Sequence, residues 1–185
     1  MGSGDQVFHF PADLDEKKCR ECFSFLRLLV CDTDEWEMIS NHGRTIQDIN
    51  PLTIRNEIAV LECLAEAAHQ TLEAFGTTIE QDNDILRHQS LDDTGTPLTL
   101  NERNCVIMRR GEKLVALYFI ELAENMAPLL KLNGDMFHDA VWKHRLQLQK
   151  FEPYIDELEV LFSAQHDNRG HGSTVKHLED VLYSQ

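Results

Sequence analysis

Only a few residues in this 185-residue sequence have the type and spacing for chemistry. Glu66-Ala-Ala-His69 sets a carboxylate and an imidazole three residues apart, which on a helix puts both on one face. Helical di-iron proteins use that step in duplicate, with further glutamates from facing helices. The nearest second copy, Asp135-Met-Phe-His138, has the shorter carboxylate and lies beside a turn. Glu66 and His69 therefore read as a solvent-facing pair, with a helical metalloenzyme kept as the lesser alternative. His166, His171 and His177 fall in or beside a Gly-rich stretch and read as parts of a polar connector. Cys19-x-x-Cys22 lacks a second such pair or a well-spaced His pair, and it sits on a helical pattern, so it reads as structural.

Arg109-Arg-Gly-Glu-Lys113 is the remaining oddity, four charges and a glycine in mid-helix. Glycine there costs about 1 kcal/mol relative to alanine. Either a neighbouring helix approaches closely at Gly111, or the segment is a polar patch that touches a partner. On the second reading Arg109, Arg110 and Lys113 are the candidate protein-binding residues. No phosphate-binding glycine loop, dinucleotide fingerprint, H-E-x-x-H or G-x-S-x-G occurs. No catalytic, cofactor-binding or metal-ligating residue is assigned.

Helices must carry these residues. Between Pro51 and Phe75, Ile58, Leu61, Ala65, Ala68, Leu72 and Phe75 recur at steps of three and four. Asn50 and Pro51 read as N-cap and first turn of that helix, and Gly76 as its stop. Thr77 or Thr78, with Glu80 or Gln81, predicts a capping box for the next helix, and Thr99 with Glu102 predicts another. The helix opened by Thr99 should run through Val106, Ile107, Leu114 and Leu117 to about Glu124. Its segment Leu114 to Ile120 is apolar nearly all round, which implies contact on several sides. Upstream, residues 13–30 predict a helix that buries Cys22, Phe25 or Leu26, and Leu29, followed by a short helix from Asp32. Downstream, Asn133-Gly134 predicts a turn and then a helix over Met136 to Lys150, with Met136, Ala140, Val141 and His144 on one face. Pro153 restarts a helix with Ile155, Leu158, Leu161 and Phe162 inside. Residues near 164–173 read as a flexible linker, and Thr174 as the cap of a last helix. Alternating strand patterns are essentially absent beyond an extended stretch at residues 7–10, so the fold class is all-α, an irregular multi-helix bundle.

Composition narrows the partners. The 32 acidic residues outnumber the 17 basic ones, a net charge of −15. That opposes binding to nucleic acid and docking on an anionic membrane. No apolar run approaches the length that crosses a bilayer. An odd count of cysteines, with Cys63 and Cys105 inside apolar helices, suggests small buried residues in an intracellular, reducing compartment. Met1-Gly-Ser-Gly4 has no targeting character, and residues 1–6 read as a tag or disordered start.

Several stretches also line up with a known pattern. These are Phe25-Leu-Arg-Leu-Leu-Val-Cys-Asp-Thr-Asp-Glu-Trp-Glu37; Asn56-Glu57 with the long helix to Phe75; Thr77-Thr-Ile-Glu-Gln-Asp82; and Leu100 to Leu114 with its Arg110-Gly-Glu-Lys113. In this order, over roughly Phe8 to Glu124, the chain resembles the C-terminal substrate-binding domain of SET-domain protein methyltransferases of the Rubisco large-subunit methyltransferase class. That class also includes an actin-histidine methyltransferase. The resemblance implies a helical domain over 7–132 that helps to hold a protein substrate, with 133–185 as a C-terminal helical extension. It implies a protein substrate, a SET domain, or both, as partners, and it leaves oligomeric state open. S-adenosylmethionine would bind the SET domain, so the resemblance implies no cofactor for this chain itself. Asn41-His42 is superficially similar to the SET Asn-His pair but lacks its context, so no catalytic residue is carried over. The residues before 7 are too few for a SET domain. The chain is then either one lobe of a larger protein-lysine or protein-histidine N-methyltransferase, or a free-standing helical interaction or oligomerisation protein. Chloroplast, cytoplasm and nucleus all suit the resemblance.

Overall fold

The computed structural model describes residues 16–41, 49–88 and 97–167. The expectations for residues 1–10 and for the helix after Thr174 lie outside them. Every regular element among the described residues is helical, as the missing alternation implied. No helix among them is long and apolar enough to cross a membrane. The chain divides into two compact units, Met1–Leu132 and Asn133–Gln185.

The first unit contains α1 (Glu16–Leu29), α2 (Thr33–Asn41), α3 (Ile54–Ala74), α4 (Ile79–His88) and α5 (Leu100–Leu130). Local chemistry sets most of the helix starts. Thr99 and Glu102 form the expected capping box at α5. Thr78 and Gln81 exchange reciprocal bonds at α4, Gln81 N–H donating to Thr78 Oγ1 at 3.2 Å and Thr78 N–H to Gln81 Oε1 at 2.8 Å. The start of α3 differs from expectation. Thr53 is its cap, accepting from Asn56 N–H, while Pro51 and Leu52 lie buried ahead of the helix. Leu52 packs there with Ile39 and Ile49. α5 runs six residues beyond Glu124 because its apolar stripe continues through Met126 and Leu130, both fully buried.

α1 is turned the other way from the expected orientation. Cys22 is exposed, Phe25 is 56% exposed and Leu29 62%, whereas Ser24 and Arg27 are buried at 2% and 1%. The reason is a polar interlock among α1, α2 and α3. Arg27 Nε donates to Glu57 Oε1 at 2.6 Å, and its Nη1 donates to the Ile49 carbonyl at 2.9 Å. Ile49 N–H donates in turn to Ser24 Oγ at 3.0 Å. A buried guanidinium needs a carboxylate and further hydrogen-bond acceptors, and with this face of α1 turned inward Arg27 finds them in Glu57 of α3 and the Ile49 carbonyl. Beside it, Glu35 is buried on α2 and accepts from the Arg55 guanidinium, the Thr53 hydroxyl, Asn56 Nδ2 and Asp32 N–H. Asn56 Nδ2 also donates to the Arg27 carbonyl at 3.0 Å, which joins the two groups.

The second unit contains α6 (Gly134–Lys143), α7 (Arg145–Leu148), a 3₁₀ turn at Gln149–Phe151 and α8 (Glu152–Asp167). The single helix expected over Met136 to Lys150 is broken at His144. Its buried residue is Phe137, whereas Met136 and His144 are exposed. Phe137 stacks on Phe162 of α8 with ring centroids 4.1 Å apart. α8 buries Ile155, Leu158, Leu161 and Phe162, the set its periodicity implied. It continues as helix to Asp167, so the expected linker does not begin at 164. Asn133 caps α6 by accepting from Met136 N–H. Cys63 is half-buried and Cys105 exposed, so neither is the enclosed residue that composition suggested.

Burial by itself would raise the Glu35 carboxyl, but the bonds from Arg55, Thr53, Asn56 and Asp32 hold it down at about 2. Its ordinary value is 4.5, so the stability it contributes is complete above that pH and disappears as pH falls through about 2. Glu35→Gln should destabilise the chain at pH 7 in urea unfolding, and the gap from the native sequence should shrink as pH is lowered from 4.5 towards 2. A gap that stays constant over that window would contradict this reading.

Candidate protein-docking site

The C-terminal end of α3 is fastened to α4 and α5 by one buried carboxylate. Asp82 is fully buried and accepts from Lys113 Nζ at 2.6 Å and from Arg109 Nε at 3.0 Å. Thr77 Oγ1 donates to it at 3.0 Å and accepts from Lys113 Nζ at 2.7 Å. The Lys113 ammonium also lies 5.1 Å from the centre of the Phe75 ring, within cation–π range. Burial alone would raise the Asp82 carboxyl, but hydrogen bonds from Arg109, Lys113 and Thr77 hold it below its ordinary value. This cluster locks the turn between α3 and α4 onto the middle of α5.

Next to it the two long helices part. Leu64, Ala67, Ala68 and Thr71 of α3 face Met108, Gly111, Glu112, Val115, Ala116 and Phe119 of α5 across a groove of about 550 Å³. That size lies in the ordinary range of ligand pockets, about 300–1,000 Å³. Its lining combines the small residues Ala67, Ala68, Gly111 and Ala116 with the larger Leu64, Met108, Val115 and Phe119. Lower down, Ala68, Ala116 and Ile120 close into a small core with Leu72 and Phe119 packed against it. A Cβ added at Gly111 would meet nothing within 4 Å, so no helix among the described residues approaches closely there. The close-approach explanation of this glycine is therefore wrong, since its missing side chain opens the groove instead.

A model of the Rubisco LSMT substrate-binding domain matches residues 4–115. The chain belongs to this family. No curated protein and no solved structure matches it. The matched span holds the buried ion-paired groups centred on Glu57, Glu35 and Asp82. It also holds the groove lining except Ala116 and Phe119. The stretches that carried the resemblance to the Rubisco LSMT substrate-binding family thus have a physical role here. Arg27, Glu35, Asn56, Glu57, Thr77, Asp82 and Lys113 are the polar bolts of the lobe.

The candidate contact residues are separated by this arrangement. Lys113 is 1% exposed and its ammonium is held by Asp82. The Arg109 side chain is 31% exposed and shares the same carboxylate. Arg110 is half-buried, with an Nε that is enclosed and has no hydrogen-bond partner. Glu66 and His69 are exposed on α3, with Glu66 accepting from Gln70 Nε2 at 2.7 Å. Among the described residues no three His, Cys, Asp or Glu side chains come together as a metal site. The groove was missed from sequence because its small residues lie some forty positions apart on different helices. The isolated cost of Gly111 was its one visible sign.

Removing one partner from a buried ion pair leaves an uncompensated charge, at a cost of about 3–5 kcal/mol. Asp82→Ala strands the Lys113 ammonium and should lose about that much in urea unfolding. Adding Lys113→Met should restore part of the loss, because the stranded charge goes with it. Additive losses would show that the pair is not coupled.

Proposed function

We propose that this chain is the non-catalytic, protein-holding lobe of a SET-domain protein-lysine or protein-histidine N-methyltransferase. Membership of the Rubisco LSMT substrate-binding family supports a role in holding a protein substrate. The observation that carries the reading furthest is the α3–α5 groove, an apolar cleft that stands open beside a framework fixed by buried charge. The methyl donor belongs to the SET domain on this reading. The groove offers S-adenosylmethionine one hydroxyl, from Thr71, and one carboxylate, from Glu112, amid apolar side chains, and that set does not fit a zwitterionic nucleoside. Arg109 and Arg110 extend the contact surface beside the groove, with Lys113 acting from within to hold Arg109's carboxylate partner in place. An intracellular, reducing compartment suits the free thiols of Cys22, Cys31, Cys63 and Cys105.

The test pairs binding with turnover. The purified chain, immobilised, should retain an acceptor protein from a panel of Rubisco, actin and histones, and should transfer no methyl group to it when given S-adenosylmethionine. Methyl transfer by the chain alone would overturn the non-catalytic assignment, and failure to retain any acceptor would overturn the holding role.

A further inference from the structure

We propose that the α3–α5 groove takes an amphipathic helix with a basic polar face, seated with large aliphatic side chains over Gly111. This deepens the reading above by giving the chemistry of the segment that the lobe holds.

Three observations converge on that occupant. The first is the glycine. In a helix interior it costs about 1 kcal/mol against alanine, and among the described residues nothing comes within 4 Å of a Cβ placed there. The space it leaves is continuous with the groove, so the requirement comes from outside the fold, from a side chain that approaches the α5 backbone. The second is backbone satisfaction. Both walls are helices whose peptide groups are paired within themselves, so the groove has no sheet edge for an extended strand to join. A segment buried in an apolar cleft must satisfy its own peptide groups, and a helix does so. The third is charge. Glu112 is the only ionisable group in the lining and makes no ion pair among the described residues. Arg27, Arg55, Arg109 and Lys113 of this unit are engaged by carboxylates, and Arg110, next to the glycine, is half-buried and does not line the groove. The whole chain carries −15, which attracts a basic segment and repels a second copy of itself.

The probe is a fluorescently labelled peptide of about 18 residues, five helical turns, with leucines at i, i+3, i+4 and i+7 and lysines and alanines elsewhere. Its control keeps every lysine and replaces the leucines by serine. By anisotropy the full chain should bind the leucine peptide at least about tenfold more tightly than the control. Gly111→Leu should bring it down to the control level, with helix content unchanged because the new side chain enters open space. Gly111→Ala should raise Tm by about 3 °C and yet weaken binding, two opposite movements that a purely structural glycine would not produce. Glu112→Lys should weaken binding and flatten its salt dependence. Equal affinity for the two peptides, or a Gly111→Leu variant that binds as the native chain does, would overturn the proposal. The two readings also fail separately. An acceptor protein held as well by Gly111→Leu as by the native sequence removes the groove and leaves the lobe. A groove that binds the peptide in a chain that retains no acceptor removes the lobe and leaves the groove.

Discussion

A charge removed from water must be met inside the fold, and that constraint shapes the first unit of this protein. Among the described residues Glu57, Glu35 and Asp82 are carboxylates almost wholly enclosed, and each is answered by at least one cation. Such pairs contribute little net stability beside a well-packed apolar alternative, yet losing one partner is expensive. Their physical effect is on geometry. Arg27 fixes α1 against the first turn of α3, and Asp82 fixes α4 against the middle of α5.

The same constraint explains why apolar surface remains outside. α1 places its charge inward and leaves Phe25 and Leu29 in solvent. The C-terminal end of α3 is held on the middle of α5 through Phe75 and Lys113, and between the two helices lies a cleft whose lining includes alanines and Gly111. Surface of this kind in a monomer marks interaction, because isolated apolar residues are ordinary but a contiguous concave patch is not. A lobe built in this way presents a fixed shape to a partner without having to fold around it.

Sequence reasoning reached some features and missed others for identifiable reasons. Capping at Thr99 and Thr78 depends on residues three apart, so it was legible. The inward face of α8 was legible too, because Ile155, Leu158 and Phe162 follow the ordinary rule that apolar side chains turn inward. That rule failed on α1, where Arg27 finds its carboxylate thirty residues further along the chain. Periodicity cannot see such a partner. The break at His144 was similarly hidden, since Met136 to Lys150 holds neither proline nor internal glycine after its first turn. Family motifs were recognisable as a pattern, but their work as buried ion pairs emerged only when Asn56, Glu57, Asp82 and Lys113 were placed in space.

The central claim is that the α3–α5 face receives the partner while the ion-paired framework stays as it is. Hydrogen–deuterium exchange of the full chain, with and without a bound acceptor protein, measures this most directly. The account predicts new protection in residues 64–71 and 108–119, with exchange around Arg27, Glu35 and Glu57 unchanged. Protection confined to α1 and α2, or loosening of the framework on binding, would contradict it.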